Sequence, residues 1–188
     1  MLTVRKLTPE LTDRIRPVSD ASLVGEDVML RIGRTGFTLG YVPLGRAEWR
    51  SFPMIPQADP LRLLGDPNAA VFLAFDDDVF VGQACVSADP ENLWTRILDI
   101  RVDAAHRRKG VARALMASIE SFSLKRDMRG IRITVPDSNT VACQFCEHCG
   151  FSLQGLDRLA LVYSPAEREK PLARRACELY FYQQHQKG

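Results

Sequence analysis

At 188 residues the chain is about one domain's worth and long enough to bury a core. An apolar fraction of 46% and a charged fraction of 26% exclude a disordered or low-complexity protein. A net charge of only +2 gives no global attraction to nucleic acid or an anionic membrane surface, so functional positive charge has to be local.

The N-terminus from Met1 to Pro17 alternates apolar and polar residues and has no signal-type apolar stretch. No run approaches the ~18 apolar residues of a membrane span. The expectation is a cytoplasmic monomer or homodimer with neither nucleic acid nor membrane as partner. Five cysteines, three of them crowded at Cys143, Cys146 and Cys149, do not make a secreted disulfide framework, and reduced thiols are expected.

In chain order, Leu2–Leu7 reads as a strand and Pro9–Arg16 as one or two helical turns. Asp27–Leu44 reads as two strands around a glycine-containing turn at Arg34–Gly36. From Gly45 to Asn68 the pattern breaks, and Pro53, Pro56, Pro60 and Pro67 predict an irregular segment. Ala69–Phe75 is an apolar run fit for a buried strand, and Val79–Ser87 returns from it as a hairpin. Leu93–Val102 is a further strand. Gly110–Asp127 is a helix whose apolar stripe is Val111, Leu115, Ile119 and Phe122. Gly130–Val135 is a strand, and Asn139–Gly150 a second helix with Asn139 as N-cap and Gly150 at its stop. Phe151–Leu156 and Cys177–Gln183 close the chain as strands. This order predicts an α/β (α+β) single domain over residues 1–188, with a central mixed, mostly antiparallel sheet flanked by helices.

Chemistry concentrates where the strand ending at Val102 passes through a basic loop into the helix opened by Gly110. The first N–H groups of a helix lack internal partners and carry the positive end of its dipole, which suits a phosphate or pyrophosphate. Gly110 and Ala112 let the backbone approach a ligand closely, and Arg107, Arg108 and Lys109 add charge. The alternative is a solvated basic turn before a surface helix. Neither the P-loop pattern nor Gly-x-Gly-x-x-Gly occurs here.

The stretch Arg107-Arg-Lys-Gly110-Val-Ala112 resembles the pyrophosphate loop, Arg/Gln-x-x-Gly-x-Gly/Ala, of the GNAT superfamily of N-acetyltransferases. Asn139, Ala142, Phe145, Cys146, Gly150 and Phe151 fall in register with that family's second signature. The resemblance covers roughly Ala69 to Phe151. It implies the GNAT fold, with acetyl-CoA as co-substrate in the cleft of a splayed strand pair, no metal, and direct attack of an amine on the thioester. It places backbone groups of Ile100, Arg101 and Val102 on the pantetheine, the amides of Arg107, Arg108, Lys109, Gly110, Val111 and Ala112 on the pyrophosphate, and Asn139 and Phe145 near the CoA arm.

The cysteine run has three readings. A metal centre is disfavoured because the three cysteines lie within a helix, where steps of three residues drift by about 60° each. Cys143 and Cys149 read as small buried residues, and His148 as a helix-end residue. Cys146 stands where the family has a tyrosine that protonates the departing thiolate; it is either a donor in its own right or a filler. Tyr163, Tyr180 and Tyr182 are the alternative hydroxyls.

The nearest subfamily by resemblance is the streptothricin (nourseothricin) acetyltransferases, through Ala142-Cys143, Cys146, Cys149-Gly-Phe151 and Gly155-Leu-Asp157. The chain departs from them by lacking the acidic run before the central hairpin, by Glu91-Asn92 in place of Trp-Asn, and by Thr134 in place of a glutamate. Asp99 and Glu91 are the candidate general bases, Asp99 being equally readable as a structural carboxylate. The segment from Gly45 to Asn68 is expected to cover the acceptor site. The expected function is acetyl transfer to a primary amine of a small molecule, with a streptothricin-like antibiotic as one class of acceptor. The alternatives are a non-catalytic acyl-CoA sensor and acetylation of a protein amine.

Overall fold

The computed structural model describes residues 1–34, 36–158 and 177–186. The architecture is the expected one, a mixed, mostly antiparallel sheet flanked by helices. The chain divides into two compact units, one of Met1–Asp20, Met54–Ile131 and Gln184–Gly188, the other of Ala21–Pro53 and Arg132–Gln183.

In the first unit, strands β1 (Leu2–Lys6), β4 (Ala69–Asp76), β5 (Val79–Asp89) and β6 (Trp94–Val102) form an antiparallel sheet in the order β1-β4-β5-β6. All residues of β4 before Asp76 are buried, as its continuous apolar run requires. Asp77 and Asp78 close the β4–β5 hairpin at φ 46° and 66°, the positive values of a two-residue primed turn that aspartate tolerates. Helix α2 (Val111–Leu124) packs on β1, β4, β5 and β6. Its predicted stripe is the face it buries: Val111, Leu115, Ile119 and Phe122. The turns after β1 are one 3-10 helix, Pro9–Arg14.

The segment predicted as irregular from Gly45 is ordered for most of its length. Strand β3 (Gly36–Ser51) continues to Ser51 because Ala21–Val24 of β2 (Ala21–Gly33) pair with Ser51–Glu48. The stretch 46–51 is mostly polar and exposed, so no alternation betrays the strand. A 3-10 turn (Pro56–Ala58) follows in the first unit, then the short helix α1 (Pro60–Leu63), whose N-cap Asp59 accepts from Leu61 N at 3.0 Å. Met54, Ile55, Leu63 and Leu64 pack on the core of Leu7, Val71, Leu73, Phe75 and Cys85, and Ala58 is fully buried there.

The second unit contains the β2–β3 hairpin, most of β7 (Gly130–Pro136), helix α3 (Thr140–His148), and β8 (Ser152–Asp157) paired antiparallel with β9 (Glu178–Gln184). Helix α3 lies against β2. No helix among the described residues is long and apolar enough to cross a membrane.

Candidate active site

The end of β6, the basic loop and the start of α2 are positioned by two irregularities. Cys85 pairs with Asp99 but Val86 pairs with Ile97, so Leu98 is an extra residue bulged out of β6. Bulges of this kind bend a strand and re-aim the side chains beyond it. Gly82 pairs with Val102, and a Cβ there would stand 2.6 Å from Arg101 O and 3.4 Å from Val111 Cγ1. Only a glycine allows β5 to meet both the end of β6 and the first turn of α2.

Beyond Val102 the loop turns through a short 3-10 helix, Ala104–His106. Asp103 caps it, accepting from Ala105 N at 3.0 Å and lying 3.0 Å from His106 Nδ1. Its hydrogen bond to His106, with the backbone bond to Ala105, holds the Asp103 carboxyl below the usual range. Arg107 is half-buried and donates from Nε to Val102 O at 3.3 Å, while Arg108 and Lys109 are exposed. Arg108 and Gly110 have φ of 63° and 85°, so the chain enters α2 through two left-handed residues. Gly110, the N-cap, has no side chain to bond the first turn of α2, and a Cβ there would meet no atom within 4 Å. The result is a helix start with uncapped amides, open space before it and flanking cations, which fits a pyrophosphate.

One face of the β5–β6 pair carries four polar or thiol groups, because register partners and alternate residues share a side of the sheet. Gln83 pairs with Arg101, and Cys85 with Asp99. Arg101 Nε donates to both oxygens of Asp99, at 2.8 and 2.9 Å. The side chains of Arg101 and Asp99 are only 14% and 9% exposed. Burial pushes the Asp99 carboxyl above its ordinary range, while Arg101 and a hydrogen bond from Gln83 oppose the rise. Gln83 is 5% exposed and also donates from Nε2 to Met54 Sδ at 3.7 Å. Burial, reinforced by Asp99, drives the Cys85 thiol far up, so it stays protonated.

In the second unit, Asn139 is the N-cap of α3, with Oδ1 accepting from Ala142 N at 3.1 Å. Side chains tie this helix to the hairpin. Thr140 Oγ1 donates to Glu26 O at 2.6 Å, Gln144 Nε2 to Glu26 Oε2 at 2.7 Å, and Tyr41 O–H to Glu147 Oε2. Arg50 joins Asp27 and Glu48 to Ser138 O at the approach to the helix. Cys143 and Cys146 are wholly buried. Burial pushes Cys143 up to about 12 and Cys146 higher than its ordinary value by a wide margin. Cys149, half-buried, is raised by the same cause. Phe145 is half-buried, and His148 Nδ1 lies 2.6 Å from Gln144 O at the helix end. No group of three or more metal-ligating side chains occurs among the described residues.

The structure thus gathers Asp99, Ile100, Arg101 and Val102 with the loop from Arg107 to Ala112. It does not bring Glu91 to them: Glu91 is exposed in the β5–β6 turn, at the opposite end of a strand of about 26 Å from the loop. Tyr163 lies outside the described residues. Tyr180 and Tyr182 are half-buried on β9, Tyr180 O–H donating to Glu178 Oε2 at 3.4 Å. Sequence reasoning missed Gly82, the Leu98 bulge, Gln83, and the Tyr41 and Arg50 contacts. Gly82, a glycine inside a strand pattern, is the one with a readable signal.

Comparison with known proteins agrees with this geometry. A streptothricin acetyltransferase of Escherichia coli is 35% identical over 92 residues, a match spanning 49% of this chain and about half, 52%, of that relative. A Bacillus anthracis str. Ames protein provisionally described as a streptothricin acetyltransferase, solved in complex with acetyl coenzyme A, superposes with a TM-score of 0.85 at 22% identity, covering 98% of this chain and 100% of the other. Nourseothricin acetyltransferase superposes with a TM-score of 0.77 at 24% identity over 97% of this chain and 98% of the other. The profile of the acetyltransferase (GNAT) family matches residues 41–151, and the chain belongs to that family.

Proposed function

We propose that the protein transfers the acetyl group of acetyl-CoA to a primary amine of a small molecule, with streptothricin-type antibiotics the first acceptors to test. The observation that carries this reading is the uncapped, glycine-opened start of α2 directly after the bulged strand β6. Acetyl-CoA supplies the acetyl group as an activated thioester. Backbone amides from Arg107 to Ala112 hold its pyrophosphate, with Arg108 and Lys109 as exposed counter-charges. The partly exposed strand end, Ile100 to Val102, offers backbone groups to the pantetheine, and the resemblance to the family assigns Asn139 and Phe145 to the CoA arm.

Asp99 is the base that relieves the acceptor ammonium of its proton, through a water, since its carboxylate is mostly buried and held by Arg101. A carboxyl pushed above its ordinary range is better matched to that task than a solvated one. The attack forms a C–N bond and breaks the C–S bond, and the thiolate leaves to be protonated. Cys146, wholly buried with its proton held tightly, is a poor donor for that last step, and its surroundings support the filler reading. The same observation favours one second reading, a non-catalytic acyl-CoA sensor.

Calorimetric titration with acetyl-CoA, paired with a thiol-release assay over streptothricin, nourseothricin, aminoglycosides and polyamines, tests the proposal. Binding with turnover of one amine is expected. Binding without turnover on any of them favours the sensor, and absence of binding removes the assignment of the loop.

A further inference from the structure

One arginine of the β2–β3 hairpin reaches out of it to the loop that precedes α3. Arg50, near the end of β3, has a side chain only 20% exposed. An arginine so covered needs partners for a fork that cannot shed its charge. Two of them are carboxylates of its own hairpin: Nη2 donates to Asp27 Oδ1 at 2.8 Å, and Nε to Glu48 Oε1 at 2.7 Å. Together they fix the plane of the guanidinium. Nη1 reaches outside the hairpin and donates to Ser138 O at 3.0 Å. The side chains of Asp27 and Glu48 are more than half exposed, so these ion pairs add little to stability. What they do is aim the third bond.

The carbonyl it takes lies directly before the helix cap. Asn139 N donates to Pro136 O at 2.9 Å, closing a four-residue turn in which Ser138 is third. Asp137, second in the turn, is pinned from β9's side, its Oδ1 accepting from Cys177 N at 3.0 Å. The half of the turn next to Asn139 is the half that Arg50 holds. We propose that Arg50 is a positioning residue: by holding the Ser138 carbonyl it aims the Asn139 side chain, which caps α3 and which the resemblance to the family assigns to the CoA arm. The inference rests on that assignment of Asn139, and deepens it by naming what orients the residue. Glu26 of the same hairpin works beside Arg50, its carbonyl accepting from Thr140 and its carboxylate from Gln144. Those bonds seat the body of the helix, whereas the Arg50 bond seats its entrance. The seating of the hairpin and the aim of Asn139 are thereby coupled.

The test reads the cap and the coenzyme separately. Hydrogen exchange by NMR follows the Ala142 amide, which donates to Asn139 Oδ1, with the Leu115 amide of α2 as the measure of global opening. In Arg50→Met, which keeps the stem and removes the fork, Ala142 is expected to exchange about tenfold faster while Leu115 changes by less than about twofold. Calorimetry with acetyl-CoA should show binding weakened about fivefold by Arg50→Met. The loss should shrink below about twofold when Asn139 is already alanine, the non-additivity of residues that act through one another. Where Arg50→Met does not fold, Asp27→Asn combined with Glu48→Gln, which frees the guanidinium, should move both readouts in the same direction by about threefold. Unchanged Ala142 exchange in the variant that folds overturns the proposal. So does a loss of acetyl-CoA binding that is equally large with and without Asn139. Faster Ala142 exchange with unmoved acetyl-CoA binding upholds the grip of Arg50 on the cap and retires Asn139 from the CoA arm. Faster exchange in a protein that binds no acetyl-CoA at all upholds that grip and overturns the reading of the site instead.

Discussion

The two stretches that carry the family's signatures work by different physics. The loop from Arg107 to Gly110 is shaped by backbone: two left-handed residues, an N-cap without a side chain, and a glycine on the neighbouring strand that makes room. Helix α3 is shaped by side chains. Asn139 caps it, Thr140, Gln144 and Glu147 bind it to the hairpin, and Cys143 and Cys146 fill the space beneath. A site made of backbone tolerates almost any exposed side chain but not the loss of a glycine. A site made of side chains can exchange a member and keep its fold, while the chemistry that member performed is lost or moves elsewhere.

That contrast is open to attack, starting where the largest effect is expected. Gly82→Val should cost about 3 kcal/mol or more in urea unfolding, because the new Cβ meets the Arg101 carbonyl at 2.6 Å and backbone cannot easily give way. Cys146→Tyr, which puts the family's residue back, should cost about 2 kcal/mol through overpacking of a fully buried site and bring no gain in turnover. A faster Cys146→Tyr enzyme would show that α3 still presents a working donor position. The double variant Arg108→Ala with Lys109→Ala should weaken acetyl-CoA binding about tenfold by calorimetry, more at low salt, and leave the melting temperature alone. Asn139→Ala should lose a helix cap worth about 1 kcal/mol, read from the melting temperature. If it also weakens acetyl-CoA binding, the cap and the cofactor contact reside in one side chain.

The two aspartates flanking β6's end sharpen the comparison through pH. Folded Asp103 ionises more easily than in the unfolded chain, so its contribution to stability is present above the ordinary carboxylate pKa and is lost as pH falls through the lowered one. Folded Asp99 ionises less readily, so keeping it charged costs stability above its raised pKa, and acidification through that value relieves the cost. Replacing Asp103 by Asn should therefore remove part of the acid loss of stability. Replacing Asp99 by Asn should remove a term of the opposite sign. Chemical unfolding at a series of pH values between about 3 and 7 measures both.

Much of this was legible from residues. The period of Val111, Leu115, Ile119 and Phe122 announced α2 and its buried face, because a two-sided helix has to repeat every turn. Gly110, Asn139 and Gly150, with φ 81° at Gly150, were readable because caps have chemical requirements. The continuation of β3 to Ser51 was not, since a mostly polar, exposed stretch carries no period. The bulge at Leu98 was invisible for another reason: it is a mismatch between two strands and belongs to neither sequence alone. The Asp99–Arg101–Gln83 grouping needed that register before its members could be seen as neighbours.

The burial of the cysteines has a practical consequence. All five are free thiols, and four are buried; Cys149, near the end of α3, is the one with partial access. The unmodified chain therefore already carries an attachment point for a maleimide dye or spin label. With its pKa raised, that thiol should couple slowly at neutral pH and faster in mild alkali. A reporter placed there would follow α3 without any engineered cysteine, and the slow reaction of this thiol is a background that a release assay on this protein should subtract.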